Sequence, residues 1–119
     1  MKKLLFLILS IAAFSVSAAT QHEATWEVIQ CYEDTSIASS VGLTGLGSFT
    51  TGEVQSALRV MFQTEGDGIR WTDDGTTPTS TLGFKQSAGD PPFFYSGEPQ
   101  SLKFIEESTS TDIFVCLYK

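Results

Sequence analysis

Carboxylate, histidine, cysteine and aromatic side chains are the groups in these 119 residues with chemistry to offer. Glu65 and Asp67 precede a short apolar run at 69–72, and Asp73 and Asp74 follow it. To act as a general acid and base, two such carboxyls must lie within roughly 5–10 Å of each other. A strand advances ~3.3 Å per residue, so these two groups sit about 15–20 Å apart. That spacing argues against a glycosidase-type acidic hydrolase. Asp73-Asp74-Gly75 reads instead as a tight turn, because Asp and Gly accept the backbone angles a turn demands. A calcium loop would need about six to eight oxygens, and no EF-hand spacing is present.

His22 is the only histidine, and it lies close to the N-terminus. Nucleophilic triads therefore lack a well-placed base, and a Cys/His metal centre lacks ligands. Gly42, Gly45 and Gly47 are not followed by a helix start or a phosphate-binding lysine, so no nucleotide loop is read. No catalytic residue, metal or cofactor is expected.

The aromatic set is richer: Trp26, Trp71, Phe84, Phe93, Phe94 and Tyr95. Flat rings can line a sugar-binding face. A small sandwich also needs large inward residues, and core is the stronger reading for most of this set. Neighbours in a strand face opposite ways, so the run 93–95 is the place to expose a ring. The candidate binding residues are Trp71, Asp73, Asp74, Phe94 and Tyr95, carried by loops around 73–79 and 90–95 on a rigid scaffold.

The N-terminus carries Lys2 and Lys3, an apolar stretch over 4–14, and small residues up to Ala19. This three-part order is that of a cleavable secretory signal peptide over residues 1–19. The apolar stretch falls short of the ~20 residues needed to span a bilayer. The expected location is periplasmic or extracellular, with residues 20–119 as one domain and no membrane contact after cleavage. Five basic residues then face fourteen acidic ones, a net charge of −9. Phosphate backbones need basic partners, so nucleic acid is disfavoured.

Cys31 and Cys116 are the only cysteines. In an exported chain an even count favours a disulfide. Both lie in strand-like runs, which must then be neighbours or face each other across two sheets. Further strands are expected near 41–44, 57–64, 69–72, 82–86, 93–95, 102–106 and 113–118, with turn signals between them. Residues 53–64 also carry helical spacing, but a strand from about residue 57 is preferred. Its turn at 65–68 predicts a hairpin with 69–72. No helix is expected after the leader. The fold class is all-β, a small antiparallel jelly-roll-like β-sandwich of about seven or eight short strands.

Arg70, Trp71, Asp73, Asp74, Gly75, Pro78, Thr79 and Gly83 occur in an order that continues through SAGD, FFYSGE and SLKFIEES, the last containing Phe104, Ile105 and Glu106. In these elements the stretch 57–107 resembles small virion proteins of tailed bacteriophages. The resemblance implies a β-sandwich domain that assembles on a capsid, tail or collar surface, with no catalytic role attached. The expected function is a non-catalytic exported module acting by assembly or surface recognition. A protein surface or self-assembly is the preferred partner. The alternative is a carbohydrate- or cell-surface-binding module.

Overall fold

A computed structural model describes residues 25–47 and 49–119. The leader read over residues 1–19 lies outside the described residues. Eight strands form in chain order: β1 (Val28–Asp34), β2 (Val41–Gly42), β3 (Arg59–Glu65), β4 (Gly68–Thr72), β5 (Phe84–Ser87), β6 (Phe93–Tyr95), β7 (Lys103–Glu106) and β8 (Asp112–Tyr118). One short helix, α1 (Thr51–Ser56), precedes β3. The first sheet has the order β1-β8-β3-β6 and the second β2-β7-β4-β5. All pairings are antiparallel. The first strand pairs with the last, the second with the next to last, and so inward to β4 and β5. A two-stranded ribbon wrapped into two facing sheets has this order, which is that of the jelly roll. The expected all-β sandwich is the fold.

Alternation decides which side of each strand is buried. In β3, Val60, Phe62 and Thr64 are buried inward while Arg59, Met61 and Gln63 face out. In β8, Ile113, Val115 and Leu117 enter the same core. The second sheet answers with Ile69, Trp71 and Phe104. Leu43, Leu46, Phe49 and Val54, from the segment between β2 and β3, close one end of the sandwich.

The expectation of no helix after the leader is corrected by α1. Its start is a capping box: Thr50 Oγ1 accepts from Glu53 N–H at 3.2 Å, and Glu53 Oε2 accepts from Thr50 N–H at 2.8 Å. Two otherwise unpaired donors are thereby satisfied, which offsets poor helix formers such as Gly52. The predicted strand survives directly behind it, beginning at Arg59 rather than near 57.

The predicted hairpin of 57–64 with 69–72 is also corrected. β3 pairs with β6 and β8, whereas β4 pairs with β5 and β7, so the turn at 65–68 arches from one sheet to the other. Gly66 has φ +84°, and a Cβ there would run into the Ser110 carbonyl. Glycine supplies that left-handed angle at no steric cost, in an arch as in a hairpin. Asp67 accepts from Ser108 Oγ, holding the arch against the β7–β8 turn.

Cys31 and Cys116 are bonded, and they lie directly opposite each other on β1 and β8. Their Cα atoms are 4.1 Å apart, near the ~4.5 Å of the narrow antiparallel pair. The bond joins the two ends of the ribbon and closes a loop of 85 residues. A Cys31→Ser/Cys116→Ser variant is expected to lose up to ~4–5 kcal/mol, from the freedom regained by its unfolded chain. Urea unfolding should show a lower midpoint, and an unchanged midpoint would remove the bridge from the account.

Candidate functional site

β6 is one edge of the first sheet and β5 one edge of the second. The two edges lie on the same side of the sandwich, joined by the turn at 88–92. Residues 84 and 86 of β5 and 93 and 95 of β6 project between the sheets, so the mouth there is lined from both layers. Phe84 stands opposite Trp71 in the strand register, with ring centroids 4.8 Å apart. Phe93 stands opposite Phe62, at 5.3 Å. Trp71 and Phe93 meet across the gap at 5.0 Å, and Tyr95 reaches Trp71 edge to face at 6.2 Å.

The result is a cleft of about 460 Å³, walled by Trp71, Phe84, Gln86, Pro91 and Phe93 with Lys85 and Asp90 at its rim. Phe84 is 57% exposed and Phe93 41%, while Trp71 is only 6% exposed and forms the floor. Gln86 is 5% exposed. Its amide nitrogen donates to the Phe62 carbonyl at 3.4 Å and to the Pro91 carbonyl at 3.1 Å. Those two bonds fix the side chain and leave Oε1, a buried acceptor, with no hydrogen-bond partner among the described residues. An unsatisfied buried acceptor costs about 1–3 kcal/mol. Asp90 accepts from Ser87 N–H at 2.8 Å, and the adjacent prolines stiffen the same turn.

The predicted binding residues divide. Trp71 and Tyr95 come together at the cleft. Asp74 does the work of a turn residue: its Oδ1 accepts from Thr76 Oγ1 at 2.6 Å and Thr76 N–H at 3.0 Å. These bonds hold its carboxyl below the usual range. Asp73 stands close enough to Tyr95 that its charge, after burial, pushes the phenol up. Phe94 is separated from the cleft. It lies on the outer face of the first sheet, with the Arg59 guanidinium 4.4 Å from its ring centroid.

A wider groove of about 640 Å³ lies between 38–40 and 77–80, lined by Ser and Thr hydroxyls and by Glu107. It offers no ring for stacking. At its edge Glu107 accepts from Arg70 Nε at 2.6 Å and pairs with Lys85 Nζ at 2.9 Å. Among the described residues no group of three or more His, Cys, Asp or Glu is arranged to hold a metal ion. No helix there is long and apolar enough to cross a membrane.

Strand order and cleft together define a jelly-roll domain with an open aromatic mouth. No family model, curated protein or solved structure matches the chain.

Glu107 supplies a pH signature. Its bond to Lys85 and then its bond to Arg70 outweigh the cost of burial and lower its carboxyl below the ordinary glutamate range. A carboxyl depressed in the fold adds stability above its unfolded pKa, and loses it as pH falls through the folded value. Glu107→Gln should therefore cost about 1 kcal/mol at neutral pH. In thermal melts across acid pH the gap to the parent should narrow below the ordinary glutamate range and then close. A gap constant with pH would contradict the assignment.

Proposed function

We propose that this chain works outside the cytoplasm as a non-catalytic binding module, with the β5/β6 cleft as its recognition site and saccharides as its ligand class. One observation carries the reading: two exposed rings, Phe84 and Phe93, wall one cleft over the buried Trp71 ring. A saccharide presents C–H faces that stack on such rings. Export is supported by the leader-like N-terminus and by the disulfide, which persists in oxidising compartments.

A second reading, assembly on the surface of a virion-like particle, draws on the jelly-roll order, which capsid and lectin domains share. A fold alone does not choose between them.

Trp71→Ala is a poor probe, because losing a buried ring costs about 3–5 kcal/mol and perturbs the fold. Phe84→Ala removes an exposed ring instead. Residues 20–119 are expected to bind members of a glycan array, and Phe84→Ala to weaken that binding at least about tenfold, or ~1.4 kcal/mol, with little change in melting temperature. Absence of binding by the parent, or equal binding by the variant, would remove the saccharide reading.

A further inference from the structure

The outer face of the β1-β8-β3-β6 sheet is apolar where a solvent-facing sheet is ordinarily polar. Trp26, Val28, Phe94 and Phe114 all lie on it and are 41–52% exposed. Met61 and the Cys31–Cys116 bridge lie between them, since each occupies an outward register position. Exposed apolar side chains grouped around a buried apolar centre in this way mark an interaction surface.

Charge is distributed unevenly along this face. At one end of β3, Arg59 stacks over Trp26 at 5.2 Å and Phe94 at 4.4 Å, and forms no ion pair among the described residues. Its Nε is buried and has no hydrogen-bond partner among them. At the other end Glu65 stands directly opposite Asp112, with Glu33 beside the same hollow as Phe114. Like charges directly opposite in a ladder are destabilising, and no described cation pairs with any of the three. The cationic and acidic ends are six residues apart, or ~20 Å.

We propose that this face is the interface of a two-fold dimer of the chain. An axis in the interface plane, perpendicular to the strands, lays β3 antiparallel over its partner copy. That rotation exchanges the ends of the strand. Arg59 of each copy then reaches the acidic end at Glu65 and Asp112 of the other, twice by symmetry. The two apolar centres meet around the disulfides, as sheets pack in a sandwich. A foreign partner would have to carry the same reversed charge order, which a second copy has by construction.

Four strands ~4.8 Å apart and ~20 Å long cover roughly 400 Å² per copy before side-chain relief is counted. That is small beside the ~800 Å² per partner of a standard interface, so the dimer is a concentration-dependent one. The cleft at the β5/β6 mouth is elsewhere, so the dimer and the saccharide reading stand or fall separately.

Sedimentation equilibrium on residues 20–119 tests it. The parent should shift from monomer to dimer across the micromolar to submillimolar range. Arg59→Glu should remain monomeric throughout, and Arg59→Glu/Glu65→Arg should recover dimer. Circular dichroism melts confirm that each variant is folded. If Arg59→Glu fails to fold, Glu65→Arg alone serves, because it sets Arg against Arg and should likewise stay monomeric. A parent that is monomeric at the highest concentration, or a dimer indifferent to a folded charge-reversal variant, would overturn the proposal.

Discussion

Trp71 and Phe62 meet edge to face at 5.3 Å, each projecting from a different sheet. Phe104 joins Phe62 from the second sheet at 5.1 Å. Such contacts add about 0.5–1.5 kcal/mol beyond the area they bury. Position matters more than that increment. Trp71 is bonded through its backbone into the second sheet, yet its ring packs against Phe62 and Phe93 of the first. The spacing of the two layers at the open mouth is set there, and so is the width of the cleft. The same ring is core on one side and site floor on the other.

The ribbon-like pairing imposes a second constraint. Pairing the first strand with the last joins the two most distant strands of the ribbon, with every other strand placed between them. The disulfide fastens that outermost pair, and the backbone bonds between Glu27 and Lys119 extend it by a further rung. At the opposite end of the ribbon, β4 and β5 are joined by the loop at 73–83, whose Asp74 and Thr79 hydrogen bonds keep it compact. Gly75 N–H donates to the Ser101 carbonyl, so this loop is also tied to the start of β7. The edge strands therefore reach the mouth from a framework held at both ends.

Much of the fold was legible in the sequence because alternation is a local signal. Leu102, Phe104 and Glu106 alternate with Lys103 and Ile105, and β7 appears there, starting one residue later. The even cysteine count in two strand-like runs was sufficient to anticipate the bridge. Sheet membership was not legible. Glu65-Gly66-Asp67-Gly68 satisfies an arch as readily as a hairpin, and only long-range pairing with β6 and β8 decides between them. The helix was hidden by Thr and Gly in its first turn, though Thr50 and Glu53 carried the capping-box spacing. At the site, Trp71 and Tyr95 stood out by type. Phe84 and Phe93 stood in the same aromatic set without being chosen as binding residues, and Gln86 was not singled out, because their importance comes from two sheet edges meeting. The available signal was a glutamine alternating in step with a phenylalanine, which puts an amide on an otherwise apolar face. The outer position of Phe94 was illegible for the complementary reason: strand parity says that it opposes Phe93, but not which of the two faces is the core.

If the exposed rings and the Trp71 floor form one recognition site, a ligand must report on the cleft as a unit. NMR titration of labelled protein with a panel of mono- and oligosaccharides would follow the Gln86 side-chain amide and the Trp71 indole. Both signals should shift and saturate together, with the Phe84 and Phe93 rings, while resonances of the 77–80 groove stay in place. Shifts confined to that groove, or none across the panel, would contradict such a site.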